Sequence, residues 1–149
     1  VLQNANLSNL DRGLVTELVY GSVRRQRTLD ALIDQLAKKP ASKQPSDLRT
    51  ILHLGLYQLR YLNQIPPSAA VNSTVELAKE NHFSGLTGFV NGLLRQYIRQ
   101  DADSTNQHLL KLPENPVERL GILHSFPDWI VQVWLEQLGL RVDECFPDN

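Results

Sequence analysis

Gly88-Phe89-Val90-Asn91-Gly92-Leu93-Leu94-Arg95 is the stretch whose reading decides the fold. Leu86, Phe89, Val90, Leu93, Leu94 and Tyr97 recur at three- and four-residue steps through it, which places them on one helical stripe. The same period governs Leu29, Leu32, Ile33, Leu36 and Ala37, and again Leu48, Ile51, Leu52, Gly55, Leu56, Leu59 and Leu62. Leu54, Tyr57 and Tyr61 give the latter segment a second apolar side, so it is expected to be central and covered on both faces. No segment alternates convincingly with period two. The spacing therefore predicts an all-α protein.

Glycines and prolines refine the expectation. Gly21, Gly55, Gly88 and Gly92 fall inside helical segments, where each costs roughly 1 kcal/mol relative to alanine. Close approach of neighbouring backbones is the expected offset, with Ala69, Ala70 and Ala78 serving the same end. Ser8 with Asp11 reads as a capping box. Pro40 to Ser46 breaks the chain, and Ser46 is a candidate cap for the next helix. Pro66-Pro67 ends the central helix, and Ser84 is a candidate start for the helix that carries Gly88 to Arg95. Asp101 to Gln107 reads as a polar linker, and Ser125-Phe126-Pro127-Asp128 as a second capped start leading to Trp129, Ile130, Val133, Trp134 and Leu138.

The 149 residues suit one domain or a domain with an appendage, and the 42% hydrophobic fraction is enough for a core. Fifteen basic residues stand against sixteen acidic ones, so the whole chain is no polycation. The charge is uneven, however. Through Arg60 there are nine Lys or Arg and five Asp or Glu; from Tyr61 onward there are six and eleven. An anion-binding face is therefore expected in the first half. Cys145 is the sole cysteine, which excludes an internal disulfide and suits a reducing, cytoplasmic setting. No signal peptide and no apolar run of bilayer-spanning length is visible, so no membrane partner is expected. The start at Val1 without Met is read as that of a fragment or processed chain.

The candidate anion site is Arg12, Arg24, Arg25, Arg27, Lys38, Lys39 and Lys43. Guanidinium forks match phosphate oxygens, and seven basic residues within a short arc make RNA plausible. The plainer reading is that cations favour a helix C-terminus, worth about 0.3–1 kcal/mol each. Asn72 and Asn91 interrupt apolar helices and are expected to be buried hydrogen-bonders. Tyr20, Tyr57, Tyr61 and Tyr97 could stack on bases, but helix-packing tyrosines are far commoner. His53, His82, His108 and His124 lack metal-ligand spacing, and neither they nor Cys145 form a nucleophile arrangement. No glycine-rich strand-to-helix turn is present. The sequence thus offers no catalytic, metal or cofactor-binding residue.

Four pieces in order carry a family resemblance: Leu18 to Arg25 with Leu29-Asp30, Arg49 to Leu59, Ile65 to Lys79, and Gly88 to Arg95. Together they resemble the NusB-like RNA-binding domain over roughly Leu10 to Arg99. The resemblance implies an all-helical bundle that binds RNA. It also implies a further helix before the capped start, of which Val1 to Asn6 would be the stump of a truncated second helix. Beyond Arg99, Asn115 to Leu120 and His124 to Trp134 look like the segment that follows this domain in the RsmB (Sun/Fmu) small-subunit ribosomal RNA cytosine-C5 methyltransferases.

That resemblance divides the chain into 1–100, a NusB-like RNA-binding domain with its first helix missing, and 101–149, a linker and helical appendage leading to a methyltransferase domain. It implies S-adenosylmethionine as cofactor of the parent enzyme and none in this chain. The implied partners are RNA, chiefly small-subunit ribosomal RNA, and the C-terminal methyltransferase domain. Apolar surface left by a missing first helix, around Leu14, Leu18 and the Leu86–Leu94 stripe, would drive self-association or be covered by Trp129 to Leu138. Two other readings stay open: a free-standing NusB-type antitermination factor, and a helical protein-interaction module that never touches RNA.

Overall fold

The computed structural model describes residues 8–103 and 110–138. Among them are seven α-helices and no strand: α1 (Asn9–Arg24), α2 (Gln26–Leu36), α3 (Ser46–Tyr61), α4 (Pro67–Glu80), α5 (Thr87–Ala102), α6 (Pro116–His124) and α7 (Asp128–Leu138). The expected stump at Val1 to Asn6 lies outside the described residues.

α3 is the hub, packing against α1, α2, α4 and α5. Its apolar residues surround the helix, as the two-sided pattern required: Leu48, Ile51, Leu52, Leu56, Tyr57 and Leu62 are all buried. Leu29, Leu32 and Ile33 meet them from α2, and Val90, Leu93, Leu94 and Tyr97 from α5. A fully buried aliphatic side chain is worth about 1.5–3 kcal/mol, so this stripe-on-stripe burial dominates the assembly. Leu110, Leu112 and Ile122 join the same core, which seats the appendage on the bundle through α2 and α6.

The helix boundaries follow local chemistry. Ser8 caps α1: its hydroxyl accepts from the Asp11 N–H at 3.1 Å and donates to the Asp11 carboxylate at 2.7 Å. Ser46 is not a cap, since Pro45 holds that position and Ser46 is already helical. Ser84 opens a short 3-10 turn, and α5 starts only at Thr87. Asp101 belongs to the last turn of α5, so the polar stretch begins later than expected, and residues 104–107 of it are outside the described set. Ser125 ends α6 rather than starting α7: it sits at φ 61° while the Phe126 N–H bonds back to Gly121 O at 2.9 Å. This is the Schellman closure, here with a non-glycine in the left-handed position. α4 closes the same way, with His82 at φ 68° and the Phe83 N–H on Ala78 O at 2.9 Å.

The four glycines that the sequence singled out, Gly21, Gly55, Gly88 and Gly92, divide into two kinds. A Cβ at Gly21 would collide with the Tyr57 ring, and one at Gly55 would stand 2.9 Å from Thr74 Cγ2 and 3.1 Å from Leu94 Cδ1. These are the close approaches the sequence led us to expect. Gly88 and Gly92 have no neighbour within 4 Å of a built Cβ, so no internal crossing explains them. Asn72 is exposed and Asn91 only half-buried, not the core hydrogen-bonders expected; the Asn91 side chain accepts from Arg95 Nε at 3.0 Å.

The two kinds should respond oppositely to alanine. Gly21→Ala is expected to destabilise by about 1–3 kcal/mol, because Tyr57 must leave its rotamer. Gly92→Ala is expected to stabilise by up to about 1 kcal/mol through lower unfolded-state entropy. Urea denaturation of both variants checks this, and a stabilised Gly21→Ala would refute the crossing.

Candidate nucleic-acid interface

The structure does not gather the seven expected cations into one patch. α1 ends at Arg24, Arg25 caps it, and α2 begins at Gln26, so Arg27 belongs to α2. Lys38, Lys39 and Lys43 lie exposed beyond the other end of α2. Eleven residues of helix separate the groups, about 16 Å at 1.5 Å per residue. Arg12 is near the start of α1, half-buried, three turns from Arg24.

Arg27 has another task. Its Nη2 pairs with Asp128 Oδ1 at 2.6 Å, its Nη1 donates to Phe126 O at 2.5 Å, and its backbone N–H donates to Ser125 Oγ at 3.0 Å. Next to it, the Thr28 hydroxyl donates to Ile122 O at 2.6 Å. Gly121 leaves room for the guanidinium, since a Cβ there would strike Arg27 Nη1. The left-handed Ser125 thus gains a partner for its hydroxyl, which offsets part of its backbone strain. These contacts clamp the α6–α7 turn to the start of α2.

Arg24 and Arg25 are placed differently. Arg24 is exposed, and the Arg25 guanidinium lies over the Tyr61 ring, 5.2 Å from its centroid. Arg60 approaches the same ring at 5.7 Å, and Tyr57 packs against Tyr61 with centroids 5.1 Å apart. The Tyr57 hydroxyl donates to Glu17 Oε1 at 2.6 Å. Burial, and then the bond to Glu17 and its charge, push the Tyr57 phenol up to about 12, against the opposing charges of Arg24 and Arg25. Sequence reasoning missed Arg60. Its signal was weak: an Arg-Tyr pair in the last turn of α3, informative only once α1 and α3 are known to pack.

A second polar cluster joins α2 to the first half of α3. Asp30 on α2 receives Arg49 Nε at 2.8 Å, a second bond from Arg49 Nη2, and His53 Nε2 at 2.7 Å, both from α3. Burial alone would raise the Asp30 carboxyl. Hydrogen bonds and charge from His53 and Arg49 outweigh it and hold Asp30 below the usual carboxylate range.

At the far end of α2 lies an apolar groove of about 690 Å³, lined by Leu36, Leu48, Leu86, Phe89 and Leu93 and rimmed by Lys38, Lys39 and Arg99. It includes part of the Leu86–Leu94 stripe expected to be uncovered. The tryptophan helix does not cover it: α7 packs on α6, and Trp129 and Trp134 are 69% and 46% exposed. Among the described residues no group of His, Cys, Asp and Glu could hold a metal, and no helix is long and apolar enough to cross a membrane.

Comparison with known proteins fits this geometry. The NusB family model matches residues 1–99, which takes in α1 to α5 up to Arg99. The chain belongs to the NusB family. Among curated relatives, the probable ribosomal RNA small subunit methyltransferase B of Synechocystis sp. is 51% identical over 93% of this chain, and that of Bacillus subtilis is 37% identical over 97%. The ribosomal RNA small subunit methyltransferase B of Escherichia fergusonii is 38% identical over 96%. The chain spans about three-tenths of the length of these relatives: 30%, 31% and 29%. In each case the similarity runs past the NusB-matched region into the appendage.

The Asp30 cluster yields a pH prediction. A carboxyl depressed in the folded state contributes stability that is present above its unfolded value of about 3.9 and lost as pH falls through the folded value. Unfolding free energy should therefore drop below about pH 4. Asp30→Asn should cost about 2 kcal/mol at neutral pH and flatten that acid limb. Urea denaturation from pH 3 to 7 measures both, and an unchanged acid limb in Asp30→Asn would contradict the assignment.

Proposed function

We propose that this chain is the RNA-binding part of a small-subunit ribosomal RNA cytosine-C5 methyltransferase of the cytoplasm. S-adenosylmethionine and the catalytic residues belong to the remainder of the polypeptide. The observation that carries the reading is the exposed Arg24 beside the half-buried Arg25 and Arg60, at the α1 and α3 ends of a NusB-family bundle. The curated relatives are ribosomal RNA small subunit methyltransferases, and they supply the substrate class and the chemistry.

Residues 1–100 serve as the RNA-binding domain and 101–149 as the connection to the methyltransferase domain. Arg24 and Arg25 are the principal phosphate contacts. Arg12, Lys38, Lys39 and Lys43 contribute along the flanks. Arg27 acts indirectly, by holding the connection in place. A NusB-type antitermination factor is the less favoured reading, because Arg27 and Thr28 are committed to residues 122–128, well past the NusB-matched region. Self-association through the apolar groove is part of the proposal, because exposed apolar surface of this kind marks a contact site. Light scattering should show a dimer of the chain; a strict monomer at high concentration would remove that part.

Charge reversal tests the RNA contact. The double variant Arg24→Glu, Arg25→Glu is expected to weaken binding to ribosomal RNA fragments at least tenfold at low salt, across many sequences, since phosphate contacts carry little sequence information. Fluorescence anisotropy measures it. Parental affinity in the double variant would mean that the arginines only finish a helix.

A further inference from the structure

One tyrosine beside the arginine pair at the end of α1 has no packing role among the described residues. Tyr20 is 67% exposed, although it stands in the middle of a family motif and is followed by Gly21, whose bare Cα abuts the Tyr57 ring. Tyr57 and Tyr97 are buried and account for themselves as core. Tyr61 is half-buried and engaged, with Arg25 and Arg60 against its ring. Among the described residues Tyr20 makes no such contact. It shares a helix face with Arg24, one turn on.

We propose that Tyr20 is a base-stacking residue, which takes one unpaired nucleobase on its ring while Arg24 and Arg25 hold the flanking phosphates. This rests on the RNA-binding reading above and deepens it by naming the element read. Three features carry it. An exposed phenol ring offers a π-face to any base, and such stacking is sequence-tolerant. The charge at this end of α1 is complementary to a phosphate backbone: Arg24 and Arg25 stand against one acid, Glu17, which already accepts from the Tyr57 hydroxyl. Finally, the Tyr61 ring lies against Arg25 and Arg60, and Arg60 is held further by hydrogen bonds to Tyr97 and Tyr61, so Arg24 and Arg25 are the guanidiniums left to meet phosphate oxygens. A base pair inside a duplex could not reach the ring, because both of its faces are already stacked within the helix. Tyr61 is a positioning residue in this arrangement.

The test uses the 149-residue chain with two probes: a short unpaired oligoribonucleotide carrying 2-aminopurine, and a blunt RNA duplex of the same length. The parent is expected to prefer the unpaired probe and to quench its fluorescence on binding. Tyr20→Phe should retain both properties. Tyr20→Ala should lose about tenfold in affinity for the unpaired probe and leave duplex binding unchanged. Tyr20 is largely exposed, so its removal should leave the helical circular dichroism intact. The parental quench gives a readout that needs no variant. Three results would overturn the proposal: no quench, no preference for the unpaired probe, or parental affinity in Tyr20→Ala. The last, alongside weakened binding by the arginine double variant, would leave RNA binding standing and reassign Tyr20 to a protein contact. Failure of the parent to bind either probe would sink both readings together.

Discussion

The contact between Arg27 and the Ser125–Asp128 turn fixes the appendage on the bundle and decides which arginines stay at the surface. One guanidinium supplies an ion pair and a carbonyl hydrogen bond, and its backbone N–H binds the hydroxyl of a strained serine. Half-exposed ion pairs alone are worth little, typically under about 1 kcal/mol. This one gains from its neighbours: the Thr28 hydroxyl bond, the bare Cα of Gly121 and the Phe126–Trp134 edge contact at 5.0 Å lie around it. Its consequence is a division of labour among adjacent arginines. Arg27 ties the appendage down, and Arg24 and Arg25 stay at the surface.

The core beneath obeys simpler rules. α3 is covered all round, and its crossing with α1 is set by the absence of a side chain at Gly21, its crossing with α4 by the absence of one at Gly55. Asp30 is the one acid drawn into the α2–α3 contact. There the desolvation cost is outweighed by three hydrogen bonds from two cationic or ionisable partners. Apolar burial decides that these helices associate, and the polar cluster fixes their register.

Much of this was legible in the residues. Periodicity identified α2, α3 and α5 and the faces they bury, because three- and four-residue spacing maps directly onto a helix surface. The cap at Ser8 and the close approaches at Gly21 and Gly55 also followed, with the Asp11 carboxylate accepting from the Ser8 hydroxyl in place of the reciprocal backbone bond of a capping box. The rest failed for one reason: spacing reports which face a residue occupies, not what stands opposite. Arg27 looked like a neighbour of Arg24 and Arg25, but its partners lie about a hundred residues along the chain. Asn72 and Asn91 interrupt apolar runs, yet fall just outside the buried stripes. Gly88 and Gly92 look like packing glycines and face open space. Ser46 and Ser84 have cap chemistry, but the adjacent Pro45 and the 3-10 turn take over those boundaries.

The central claim is that RNA meets this bundle at the end of α1. Photo-crosslinking of 4-thiouridine-labelled small-subunit ribosomal RNA fragments to the chain, followed by peptide mapping, tests it most directly. The account predicts saturable adducts on peptides carrying Tyr20 to Arg25 and Arg60-Tyr61, lost on competition with unlabelled RNA. Adducts confined to the exposed α7 helix, or no saturable adducts at all, would contradict it.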